Sequence, residues 1–127
     1  IVLDCSPAND LSGDRSALGF LGEGVLIRVV DSNFIAHTGF IEYFMDICQS
    51  HNIKHQPFIS AGGTDAGAIH TSLDGIPTLT CCISARNIHS SSSIMDLNDY
   101  QAALIALKEL LNSLNEAKIE LIRHSNR

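Results

Sequence analysis

Residues 78–84, TLTCCIS, constrain the fold more than any other segment, because apolar side chains at successive positions require both faces of the strand to be covered. Such a strand belongs inside a sheet with helices packed on it. Its neighbours are legible. Ile1-Val2-Leu3-Asp4 reads as a buried strand, residues 24–30 (GVLIRVV) are a β-branched run of strand length, and residues 56–60 form a further short strand. Helical segments alternate with them. Phe40, Ile41, Phe44, Met45 and Cys48 recur at three- and four-residue spacing, which predicts a helix over Thr38–Ser50 with Thr38 as its N-cap. A second helix is expected over 65–73, closed by Gly75 just before Pro77. The longest follows Asp96 or Asn98, either of which can cap it, and its apolar stripe is Leu97, Tyr100, Ala103, Leu104, Leu107, Leu110, Leu111 and Leu114. A last helical segment begins near Asn115. Strands alternating with helices predict an α/β fold, a three-layer sandwich with a mostly parallel sheet.

Composition narrows the function classes. The 127 residues suffice for at most one domain, and 45% are hydrophobic. Eight basic against fourteen acidic side chains, a formal charge of −6, argue against a nucleic-acid partner, whose phosphates call for clustered Lys and Arg. No apolar run reaches the roughly 20 residues that span a bilayer, and the start lacks a secretory pattern, so neither a membrane role nor export is expected and the expected location is cytoplasmic. Cys5, Cys48, Cys81 and Cys82 spell no CxxC knuckle and read as buried free thiols. The chain opens inside a strand and without methionine, which reads as the start of a fragment.

In open α/β sheets ligands collect beyond the carboxyl ends of strands. Three sets of residues follow strands here: Asp4, the turn Gly62-Gly63-Thr64-Asp65, and Arg86 with His89. Each has a structural alternative on pattern alone. Asp4 beside Ser6-Pro7 can cap a turn, which pattern favours; His89 can be a hydrogen-bonded loop histidine; Arg86 can pair with a carboxylate such as Asp96. The glycine turn can serve only for positive φ and a helix cap, and it lacks the Lys and Ser/Thr of a phosphate loop. His70 is read as making a structural hydrogen bond rather than binding metal, and His37, His51, His55 and His124 as solvated. No GxSxG elbow is present, and His89 beside residues 90–93 (SSSS) does not place a hydroxyl on an imidazole.

Four stretches taken together, VLDCSPANDL, GEGVLIRVVD, AGGTDAGAIHTSLDGIPT and SARNIHSSSSIMDLNDY, resemble the carboxyl-terminal part of the glutamyl aminopeptidases. These belong to the tetrahedral, or deblocking, aminopeptidase family, some members of which are labelled endoglucanases. The likeness runs in order along essentially the whole chain, so residues 1–127 are expected to be the C-terminal part of a zinc-peptidase-like catalytic domain. What it implies is a cytosolic aminopeptidase with two divalent ions, zinc or cobalt, acting on peptide N-termini and assembling as a homo-oligomer, in the family a tetrahedral dodecamer. By motif position Asp4 and His89 resemble metal ligands. Gly63, Thr64, Asp65 and Arg86 resemble the substrate side of the cleft. The family's remaining ligands and its glutamate base have no counterpart here, so no catalytic residue is assigned and the segment alone is expected to be inactive. Asn87 departs from the family's usual tyrosine, which bears on the loop carrying His89. A competing reading is a non-catalytic metal-binding or oligomer-assembly module.

Overall fold

The computed structural model describes residues 1–14 and 19–125; residues 15–18, part of the loop expected over 5–23, lie outside the described residues. The elements follow in the order β1 (Val2–Pro7), β2 (Val25–Asp31), β3 (Phe34–Ile35), α1 (Thr38–Ser50), β4 (His55–Ile59), α2 (Ala66–His70), β5 (Thr80–Arg86), β6 (Ile94–Met95), α3 (Leu97–Ser113) and α4 (Glu116–His124). All four expected strands and four expected helices are present, but β1, expected to be buried and to end at Asp4, runs on to Pro7 with Leu3, Asp4 and Cys5 exposed. β5 lies two residues later than expected and takes in Arg86. The two-residue strands β3 and β6 carry too little pattern to be read.

β5 is the inner strand its sequence demands. It pairs with β1 in parallel (Val2 opposite Thr80 through Pro7 opposite Ala85) and with β2 in antiparallel fashion (Leu26 opposite Cys82). β2 pairs in parallel with β4 along its other edge. The longer ladders are therefore parallel, as expected, while the β5–β2 junction is antiparallel and makes the sheet mixed.

One face of the sheet carries the main core. Val25, Ile27, Leu79 and Cys81 meet Phe40, Phe44 and Cys48 of α1, Ala106 and Leu110 of α3, and Ile122 of α4. Truncating any one of the large members typically costs about 2–5 kcal/mol. On the opposite face Leu26, Phe58 and Cys82 form a smaller cluster. Asp96 and Asn115 cap α3 and α4, accepting from the amides of Asn98 and Lys118.

Three local expectations change. Thr38 is the first residue of α1 and His37 occupies the cap position, without a side-chain hydrogen bond. α2 stops at His70, because the hydroxyls of Thr71 and Ser72 bond back to the carbonyls of Gly67 and Ala68 and Leu73 turns left-handed at φ 54. The α3 stripe is only partly buried. Ala106 and Leu110 are covered, whereas Tyr100, Leu104 and Leu107 line a trough with Leu3, Cys5 and Ile83 beside β1. No helix among the described residues is long and apolar enough to cross a membrane.

Candidate metal and substrate cavity

The strand ends β1 and β5 lie side by side because the two strands are parallel neighbours, so whatever follows them shares one rim. Asp4, on β1, and His89, three residues past β5, line one cavity of about 490 Å³. Gly62 and Gly63 line it too, joined by Ser60 and Arg28.

Asp4 is exposed, and one of its carboxylate oxygens accepts the amide of Cys5 at 2.7 Å. Its other oxygen has no partner among the described residues. His89 is exposed and sits at φ 60, and Asn87 before it at φ 57. Asparagine tolerates that left-handed backbone better than a ring-bearing side chain does, so the departure from tyrosine suits the turn. Ser90 closes the turn, its hydroxyl bonding the carbonyls of Asn87 at 2.5 Å and Ser92 at 2.7 Å.

The glycine turn is built for close approach rather than for positive φ. Neither Gly62, Gly63 nor Gly67 is left-handed; a Cβ on Gly63 or Gly67 would come within 2.6 Å of the Asn33 side chain. Thr64 is half-buried and donates its hydroxyl to Asp31 at 3.2 Å, also accepting the Ala66 amide at 3.4 Å. Asp65 is exposed at the start of α2 and makes no capping bond.

Arg86 faces elsewhere. Its guanidinium clasps Asp10 with two bonds of 2.9 and 2.8 Å, and Asp96, the partner expected from sequence, caps α3 instead. The hydrogen bond from Arg86 holds the Asp10 carboxyl below its ordinary range. Arg86 is not among the residues lining the cavity of Asp4 and His89.

The histidines separate as well. The His70 ring packs on Phe34 with centroids 5.1 Å apart and planes tilted by 41°, and its Nδ1 is buried without a hydrogen-bond partner, so that nitrogen does not make the expected structural bond. His37 is half-buried, not solvated. His51 and His124 pair with Glu109 and Glu120, and His55 bonds the Ile53 carbonyl.

Sequence reasoning missed Arg28. It is 2% exposed, and it bonds Asp31 at 3.2 Å, the Gly62 carbonyl at 2.9 Å and the Ser6 hydroxyl at 2.7 Å. The signal was available: a lone cation inside the apolar run GVLIRVV is seldom buried unless it is paired.

The cavity's donors, one carboxylate and one imidazole, suit a zinc-like ion chemically. They do not complete its shell, since a hydrolytic site takes three protein ligands and an open position. Among the described residues no group of three or more His, Cys, Asp or Glu converges.

This architecture defines the class. The chain superimposes on the TET aminopeptidase of the marine sediment archaeon Thaumarchaeota archaeon SCGC AB-539-E09 with a TM-score of 0.90 at 30% identity, covering 95% of this chain and 34% of that one. On a Pyrococcus horikoshii TET1 peptidase, described as able to assemble into a tetrahedron or a large octahedral shell, the TM-score is 0.71 at 25% identity, covering 88% and 33%. In sequence it is 37% identical over 123 residues to the glutamyl aminopeptidase of Lactococcus lactis subsp. cremoris, covering 97% of this chain and 34% of that protein. Residues 1–106 match the model of the M42 glutamyl aminopeptidase family, and the chain belongs to that family. It spans about a third of the length of these relatives.

Proposed function

We propose that this chain is the segment of an M42 aminopeptidase that supplies Asp4 and His89 to a centre of two divalent ions, zinc or cobalt, whose other ligands and general base lie outside these residues. The observation that carries the reading is the shared cavity: two ligand types separated by 85 positions in sequence line one space, Asp4 from within β1 and His89 from the loop after its parallel neighbour β5. Asp4 brings negative charge with one oxygen left over from its Cys5 contact. His89 brings a neutral nitrogen donor. Asp4 and His89 would hold part of such a pair of ions, which when bound would supply Lewis-acid polarisation of a scissile carbonyl and a water of lowered pKa. The Gly62–Gly63 backbone, with Thr64 and Asp65 behind it, forms the side along which an extended peptide N-terminus lies. The name of the Lactococcus relative supports removal of N-terminal acidic residues. The assembly described for the TET1 relative supports a homo-oligomeric parent, which we place in the cytoplasm. Arg86, clasped by Asp10 and absent from the cavity lining, is assigned no contact with the peptide.

A chimera tests the proposal. Residues 1–127 replace the matching segment of the Lactococcus enzyme, and release of an N-terminal glutamyl residue is followed with zinc or cobalt present. The chimera is expected to turn over, and Asp4→Ala or His89→Ala in it to lower kcat/KM by roughly 10³-fold or more, as loss of charge stabilisation at a reacting centre does. Undiminished turnover in both variants would remove the assignment. The isolated chain is expected to release nothing.

A further inference from the structure

The wall between Asp4 and the glycine turn is made by a buried ion pair. Arg28 and Asp31 have side chains 3% and 0% exposed, and both sit on the central strand β2. A charge pair there has no generic advantage for stability, because desolvating two ions offsets much of their attraction. The partners of this pair are specific. One guanidinium nitrogen of Arg28 donates to Asp31 and to the carbonyl of Gly62, and the other donates to the Ser6 hydroxyl. Asp31 in turn accepts from the Thr64 hydroxyl and from the amide of Asn33, whose side chain occupies the space beside Gly63 and Gly67. Ser6 lies two residues beyond Asp4 on the same face of β1. Arg28 and Gly62 themselves line the cavity with Asp4 and His89. Three chain segments that are distant in sequence, β1, the β2–β3 turn and residues 62–64, thus converge on one pair.

We propose that the Arg28–Asp31 pair is the positioning element of the cavity, holding β1 beside Asp4 and the Gly62–Thr64 turn in one fixed relation so that the Asp4 carboxylate and the turn's backbone face the same ligand. This rests on reading the cavity as the metal and peptide site. Arginine is required for its fork. A lysine ammonium is a single point donor and does not reach Ser6, Gly62 and Asp31 together.

The test compares R28M, R28K and the double variant R28M/D31L with L110A. Leu110 is fully buried in the helix-side core and remote from the pair, so L110A controls for lost stability alone. R28M leaves Asp31 buried without its partner and is the variant most prone to unfold; R28M/D31L removes both charges and keeps the fold measurable. Two readings are taken on the chain as it stands: amide exchange at residues 60–67, and the Co²⁺ dissociation constant. R28M/D31L and R28K are expected to exchange at least about tenfold faster than L110A at these amides when global stability is matched by urea. Their Co²⁺ dissociation constants are expected to rise roughly tenfold, the size typical for groups that orient a ligand. Equal exchange and equal affinity in the pair variants and in L110A would overturn the proposal, as would full rescue by R28K. If wild type shows no Co²⁺ binding dependent on Asp4 and His89, the metal reading fails by itself, and the exchange comparison still decides the role of the pair.

Discussion

Asp99 offers a prediction that can be worked from distances. It lies in the first turn of α3, is 1% exposed, and accepts the amides of Gly22 at 2.8 Å and Gly24 at 2.7 Å. Both glycines are left-handed, at φ 82 and 85, which turns their N–H groups toward one carboxylate. At Gly24 no other residue fits, because a Cβ would fall 2.0 Å from the Lys54 carbonyl oxygen. The carboxylate also meets the positive end of the α3 dipole. Hydrogen bonds to a charged acceptor contribute about 1.5–3 kcal/mol each, so Asp99→Ala, which strands one buried and one part-buried donor, is expected to cost about 3–5 kcal/mol. Asp99→Asn keeps one acceptor oxygen and is expected to cost about half as much. The chain's size makes 3 kcal/mol a fall in Tm of about 11 °C. Urea unfolding at pH 7, followed by far-UV circular dichroism, measures the loss. A change below about 0.5 kcal/mol for Asp99→Ala, the range of an ordinary surface substitution, would refute the reasoning.

The cysteines make a second prediction. Burial pushes the thiols of Cys48 and Cys81 up to about 11 and about 12 and raises that of Cys82, while Cys5 is exposed. A thiol reagent at pH 8 is expected to modify Cys5 promptly and the other three only on unfolding; rapid reaction of all four would contradict the packing. Stability should also fall as pH rises above 9, the ordinary thiol value, because the folded state holds the Cys81 proton up to about 12. At the acid end, the Arg86 hydrogen bonds lower the Asp10 pKa, so the clasp stabilises fully above 3.8 and is lost as pH falls through the lowered folded value. Asp10→Asn is expected to flatten that part of the pH–stability curve, and an unchanged curve would count against the clasp.

The fold was legible where period and burial agree. β5 announced itself because no solvent-facing strand repeats apolar residues at adjacent positions, and α1 was bounded correctly by its three- and four-residue spacing. The α3 stripe shows where pattern stops. Period identifies an apolar face, not what covers it: Tyr100, Leu104 and Leu107 of the expected stripe line a trough, while Ala106, outside that stripe, is fully buried. The site divided in the same way. Asp4, His89 and the glycine turn share one cavity, but not for the strand-end reason expected: Asp4 sits inside β1, and the antiparallel β5–β2 junction sets the carboxyl ends of β4 and β5 at opposite ends of the sheet. Arg28, with its ion-pair partner only three residues on, was overlooked although its place in an apolar run marked it, whereas Arg86 was lost to a carboxylate 76 positions away, a pairing that depends on register. The antiparallel β5–β2 junction was hidden for the same reason.

The convergence of Asp4 and His89 is tested most directly by adding Co²⁺ in small steps to the ¹⁵N-labelled chain and following paramagnetic broadening residue by residue. The competing sites are explicit, since His51 with Glu109 and His124 with Glu120 also pair imidazole with carboxylate, at 3.7 and 3.6 Å. Signals of residues 4–6, 62–63 and 88–90 are expected to broaden together in the first, half-saturating additions, before those near His51 and His124. Early broadening at His51 or His124, with residues 4–6 and 88–90 responding separately or not at all, would contradict a shared metal cavity.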